Sequence, residues 1–231
     1  FGGDHSDWLH TVSNSLLPHR FEQPQSPDNH TQFEMKKNWT SIALIGAGNI
    51  GTSIAGGLAA SGAFQPADII LTRRRLELLE SWARNGFRTT SDNRAAIRDS
   101  DIILIAVEPQ QLDSTLEEIR DEVDPDRHML ISVVTGVTSK HILEKLGVQM
   151  PVIRAAPNTA IAIRESMTCI SGNDDEALET AEEIFNSVGQ SMVILEEQMT
   201  AATALCACGV AFFLRAIRAA SQGGIEIGFH S

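Results

Sequence analysis

Two short stretches hold residues whose types and spacing could do chemistry. Gly46-Ala47-Gly48-Asn49-Ile50-Gly51 places three glycines in the pattern G-x-G-x-x-G. Each glycine meets a separate physical need. Gly46 permits a tight turn, and Gly48 lets the backbone approach a pyrophosphate with no Cβ in the way. Gly51 allows a helix to pack closely on a strand. The N–H groups and positive dipole end of a helix starting here would face an anion. The second stretch is Thr72-Arg73-Arg74-Arg75. It stands where an acidic residue would otherwise bind a ribose 2′-hydroxyl, and guanidinium groups there would pair with a 2′-phosphate. Together they predict a nicotinamide dinucleotide site that takes NADPH through Arg73 and Arg74, with NADH at lower affinity. Arg75 reads as the solvated start of the next helix.

The glycine pattern carries weight only in the right surroundings. Ile42-Ala43-Leu44-Ile45 before it is a short apolar run, as expected of a buried parallel strand. A small-residue helix is predicted over 50–61, stopped by Gly62, and a second strand over 68–72. The alternation continues with helices at 76–85, 93–98 and 112–123, a strand at 101–107 ended by Glu108-Pro109, and a strand at 129–134. Ser139 is read as the cap of a helix to 146, and 151–154 as a further strand. This order implies a doubly wound (Rossmann) α/β domain with a parallel sheet.

After Pro157 the pattern changes to a strand at 167–171, a helix at 174–188 with Gly189 as C-cap, and a last strand at 191–195. From 197 one long helix is expected, apolar over much of its circumference, with a turn at Gly223-Gly224. A helix apolar over so wide an arc needs cover, from a second copy of the chain or from a segment beyond Ser231. The domain reading is therefore 1–34 as leader, tag or disordered extension, 35–196 as the NADP-binding domain, and 197–231 as the first part of an all-α dimerisation and substrate domain. A genuine N-terminal arm packing on a partner is the alternative for 1–34, which carries four of the seven histidines. No internal repeat is found.

Composition narrows the function classes. With 42% apolar and 21% charged residues, the 231-residue chain is that of a globular protein. A net charge of -12 argues against nucleic acid as a partner. Cys169, Cys206 and Cys208 offer neither a disulfide framework nor a four-ligand metal site, and read as buried small residues in a reducing compartment. No apolar run is read as approaching the roughly 20 residues of a membrane span, and no signal-peptide core precedes Met35, so the cytoplasm is the expected location.

From Ile42 to Ser231 the chain resembles the pyrroline-5-carboxylate reductase family. The glycine turn is similar to the family's. Ala106-Val107-Glu108-Pro109 resembles its segment under the nicotinamide, and Ser132 to Gly136, with Thr135, resembles the next cofactor-side turn. Arg154-Ala155-Ala156-Pro157-Asn158-Thr159 resembles the family's Arg-x-Met-Pro-Asn-Thr segment. Asn93 corresponds to an Asn near the adenosine half. Ala204 to Phe212 and Gln222 to Gly228 resemble the opening of the helical dimerisation domain. The resemblance implies hydride transfer from NADPH to the imine carbon of pyrroline-5-carboxylate, giving proline, with Asn158 and Thr159 positioning the reacting groups. It also implies a homodimer or higher homo-oligomer through the C-terminal helices, and no metal.

Departures from the family pattern are Glu108 for Lys, Ala156 for Met, and Cys206, Cys208 and Val210 in a Ser/Gly/Pro-rich stretch. The family's later helices and Gly-Gly-Thr loop, which bind the substrate carboxylate, are not in this sequence. Two other functions therefore stay open: reduction of another imine or keto acid, and a non-catalytic NADP-binding dimer.

Overall fold

Consecutive branched apolar residues favour extended backbone that is buried on both faces. In the computed structural model, which describes residues 39–230, all four residues of β1 (Ile42–Ile45), β2 (Ile69–Thr72), β4 (Ile102–Ile105) and β5 (Met129–Ser132) are buried. Around them run α1 (Asn49–Ser61), α2 (Glu80–Arg84), β3 (Arg88–Thr90), α3 (Asn93–Arg98), α4 (Pro109–Ile119), α5 (Ser139–Leu146) and β6 (Val152–Ala156). Then come β7 (Ser166–Gly172), α6 (Asp175–Asn186), β8 (Gly189–Val193) and the helical run α7 (Glu196–Glu226). The expectations for 1–34 lie outside the described residues.

The strands form one sheet in the order β3-β2-β1-β4-β5-β6-β7-β8. Direction across the sheet reverses at β1, so right-handed crossovers put α1 on one face and α4 and α5 on the other. Ligands of such sheets bind beyond the carboxyl ends of the strands at this reversal, which is where the glycine turn lies. Every pairing from β3 to β6 is parallel, as expected. Beyond Pro157, where the sequence pattern changes, β7 runs antiparallel to β6. Only a 3₁₀ turn, Thr159–Ile163, joins β6 and β7, too little chain for a crossover helix.

Several local expectations are corrected. Thr138, not Ser139, caps α5: its hydroxyl accepts from the His141 N–H at 3.2 Å. Ser139 is bound instead to Glu196. α6 ends at Asn186, and Gly189 opens β8 with φ +152°. A Cβ there would sit 2.1 Å from the Ser166 carbonyl oxygen, so pairing with β7 requires glycine. The helix expected at 76–85 is a 3₁₀ turn, Leu76–Leu79, running into α2. β3 went unforeseen because its Arg-Thr-Thr is half-exposed and carries no apolar run.

α7 is one long helix, but Thr203–Cys208 is wound as a π-helix, and the helix passes through Gly223-Gly224 to Glu226. The turn comes at Gly228, with φ +102°. The expectation that no segment reaches membrane-span length is also overturned. α7 has 31 residues and a window of mean hydropathy 1.7, long and apolar enough to cross a membrane by length and composition. Small residues and Arg215 and Arg218 interrupt its apolar letters, yet the average stays high. Phe212, Phe213, Leu214 and Ile217 on it are each more than half exposed. Cys206 is half-buried and Cys208 exposed, so the expectation of three buried small residues holds only for Cys169.

Candidate dinucleotide site

The glycine turn is fixed from below. Thr72 at the end of β2 accepts the Ala47 N–H on its carbonyl at 2.8 Å and the Gly46 N–H on its hydroxyl at 3.3 Å. Gly46 has φ +91°, and a Cβ there would lie 2.7 Å from Val107 Cγ1 and 2.9 Å from the Ala106 carbonyl oxygen. At Gly51 a Cβ would lie 2.9 Å from the Gly46 carbonyl oxygen. These two glycines therefore serve the fold. Gly48 differs: a Cβ there would meet nothing within 4 Å. It is the N-cap of α1, and among the described residues no side chain bonds the free N–H groups of that helix end. Space and unpaired donors coincide at the residue assigned to a pyrophosphate.

A cleft of about 960 Å³ opens from this turn. Of the expected residues, Gly46, Gly48, Arg73, Arg74, Asn93, Ala106, Val107 and Glu108 line it. Arg73 Nη1 donates to the Ala47 carbonyl oxygen at 3.2 Å, which holds one guanidinium against the glycine turn. Arg74 and Arg75 line the cleft with no side-chain hydrogen bond or ion pair to any described residue. Arg75 thus belongs to the cleft, not merely to the next helix. Asn93 donates to both carboxylate oxygens of Glu118, at 3.3 and 3.1 Å. Glu108 is exposed at the N-cap of α4, where the helix dipole favours a carboxylate, with Pro109 as the first helical residue.

Gln111, Ser114, Thr115 and Glu118 of α4 complete the cleft and were missed. Their spacing marks a polar stripe on one helix face, a signal present in the sequence. Ala47, Asn49, Gly51 and Pro109 support the turn and helix ends without lining the cleft. Its volume, an open glycine N-cap and the arginines after β2 fit a dinucleotide bearing an extra phosphate.

A smaller cavity of about 210 Å³ lies beyond β5 and β6. Ile50 and Thr135 line it, with Arg154, Ala156 and the α7 residues Met199, Thr203 and Ala207. Asn158 and Thr159 line neither space. Asn158 is buried, and its side-chain oxygen accepts from the Ala160 N–H at 2.9 Å. Its amide donates to the carbonyl oxygens of Met167 at 3.4 Å and Cys206 at 3.2 Å. Asn158 thus ties the π-helical turn to β7, and Thr159 is exposed.

A second tie was not foreseen. The buried Arg154 guanidinium donates to Glu196 at 3.1 Å, and Glu196 also accepts the Ser139 N–H and hydroxyl, each at 3.0 Å. Burial raises the Glu196 pKa, yet the Ser139 donors and Arg154 together hold it below its ordinary value.

The chain is 45% identical over 213 residues to pyrroline-5-carboxylate reductase 2 of Dictyostelium discoideum, covering 84% of this chain and 71% of that protein. The chain belongs to the pyrroline-5-carboxylate reductase family. It is also 45% identical to pyrroline-5-carboxylate reductase 1 of the same organism, over 85% of this chain and 38% of that longer protein. Residues 41–136 match the family model "NADP oxidoreductase coenzyme F420-dependent", and 196–231 match "Pyrroline-5-carboxylate reductase dimerisation". Among solved structures, the pyrroline-5-carboxylate reductase of Coxiella burnetii superposes with a TM-score of 0.77 at 31% identity, covering 84% of this chain and 73% of that one. The Plasmodium falciparum pyrroline carboxylate reductase with NADP bound has a TM-score of 0.75 at 24% identity, covering 83% of this chain and 71% of that one.

Proposed function

We propose that the chain reduces pyrroline-5-carboxylate to proline with NADPH. The observation that carries this reading is the coincidence, in one reductase-family chain, of the open glycine N-cap at Gly48 with Arg74, whose side chain has no partner among the described residues, and the turn-bound Arg73. When bound, the dinucleotide supplies a hydride for the imine carbon. The chain's own residues bind and orient. The N-terminus of α1 receives the pyrophosphate, and Arg73 and Arg74 receive the 2′-phosphate. Asn93 and the polar face of α4 line the adenosine end. Thr135 and Ile50 border the smaller cavity, where the reacting ends meet. Asn158 positions the π-helical turn that closes this cavity, with Thr159 beside it.

The substrate imine takes its proton from water or a hydroxyl, so no strong acid residue is required of this chain. Steady-state oxidation of NADPH with pyrroline-5-carboxylate tests the reading. Proline must accumulate as NADPH disappears, and NADH must be the poorer donor. Cofactor binding without turnover would remove the substrate assignment and leave the dinucleotide site.

Glu108 and Ala156 favour one second reading, an NADPH-dependent reductase of another imine. The exposed apolar face of α7, matched by the dimerisation model, supports cover by a second copy of the chain rather than by lipid. Three free thiols suit a reducing compartment, and the cytoplasm is the proposed location.

A further inference from the structure

The dinucleotide cleft is lined by two chemically different sets of side chains. Arg73, Arg74 and Arg75 follow β2, and a guanidinium can only donate. The lining supplied by α3 and α4 has spent most of its donors. Asn93 is the first residue of α3, and Gln111, Ser114, Thr115 and Glu118 belong to α4. The Ser114 and Thr115 hydroxyls both donate to the Gln111 carbonyl oxygen, at 2.9 and 2.8 Å. A hydroxyl has one hydrogen, so each keeps only lone pairs for a ligand. The Asn93 amide nitrogen donates to both Glu118 carboxylate oxygens, at 3.3 and 3.1 Å. An ionised carboxylate only accepts, so it fixes which end of the amide is turned toward it. The Asn93 side-chain oxygen is left for a ligand. Two bonds hold this pair in place. Arg94 Nε donates to the Glu118 carbonyl oxygen at 2.8 Å, and the Asp92 carboxylate caps α3 by accepting the Ala95 N–H at 3.0 Å. Ser91 and Gln111 also line the cleft, but each can donate or accept and so selects neither kind of partner.

A lining of acceptors favours a ligand group that donates. The exocyclic amino group of adenine donates, whereas the oxygen that replaces it in hypoxanthine accepts. We propose that Asn93 and Glu118 select the base of the dinucleotide. The Asn93 side-chain oxygen accepts the adenine amino group, and Glu118 is the positioning residue that turns this oxygen toward the base. A base with an oxygen at that place sets acceptor against acceptor and is refused. The assignment rests on the reading of the cleft as a dinucleotide site with its adenosine end at α3 and α4.

The test titrates the full chain with NADPH and with its hypoxanthine analogue, following the fluorescence of the reduced nicotinamide. No imine is present, so the reading is independent of turnover. The wild type should bind the analogue about tenfold or more weakly than NADPH. Glu118→Ala frees the Asn93 amide to turn, so that it can accept from adenine or donate to hypoxanthine. The two affinities should then lie within about threefold, chiefly because the analogue binds better. A merely structural loss at α4 would weaken both cofactors alike and keep their ratio. Glu118→Gln keeps the side-chain volume but brings in a donor, and it should narrow the preference as well. Asn93→Ala should remove the preference by weakening NADPH alone. Equal wild-type affinities would overturn the selection of the base. An undiminished preference in both Glu118 variants would overturn the role of Glu118. A wild type that binds neither cofactor would overturn the dinucleotide site itself, and this assignment with it.

Discussion

Gly46 and Gly48 stand two residues apart and do different work. A methyl at Gly46 strikes Val107 and the Ala106 carbonyl, with the backbone already at positive φ. Gly46→Ala should destabilise the fold by about 1–3 kcal/mol, read by denaturant titration. A methyl at Gly48 strikes no protein atom within 4 Å. Gly48→Ala should leave stability within about 0.5 kcal/mol while weakening NADPH binding at least tenfold. Equal stability losses at both positions would contradict this division. The arginines allow a matching test. Replacing Arg73 and Arg74 together by Ala removes charged contacts each worth about 1.5–3 kcal/mol. The Michaelis constant for NADPH should rise tenfold or more, and that for NADH little. The motif and the arginines were legible in sequence because their chemistry is local. The clamp role of Asn158 was not, since it depends on a partner at Cys206 that lies 48 residues along the chain.

At the scale of elements, the parallel strands were legible because their burial on both faces leaves continuous apolar runs. β3 was illegible because it is half-exposed; β7 was legible as a strand but not in its direction, which depends on the length of the preceding turn. The join between the nucleotide-binding sheet and α7 is a long-range contact that no spacing announces. It rests on Glu196, held by Ser139 at the start of α5 and by Arg154 of β6. Folding lowers the pKa of Glu196, so its stabilising contribution is complete above the unfolded-state value. That contribution is lost as pH falls through the lower folded-state value. Acid titration of stability should therefore be shallower for Glu196→Gln than for the wild type. Arg154→Met should cost about 1–3 kcal/mol, because Glu196 then loses a charged partner. Identical acid profiles would show that the join contributes nothing.

Across the whole molecule, exposed Phe212, Phe213, Leu214 and Ile217 give α7 a face that water does not favour. The sequence already displayed this as a wide apolar arc, though not the π-helical turn within it, which no residue pattern marks. Light scattering should find at least a dimer, and replacing Phe213 and Ile217 together by Asp should yield monomers with the dinucleotide cleft intact. A monodisperse wild-type monomer would contradict the second copy as the cover of α7.

The central claim is that this chain moves hydride from NADPH to an imine carbon. Supplying NADPH deuterated at its transferable position, with pyrroline-5-carboxylate, tests it most directly. Proline should carry one deuterium at the former imine carbon and form one for one with NADPH consumed. Unlabelled proline, or consumption of NADPH with no proline formed, would contradict it.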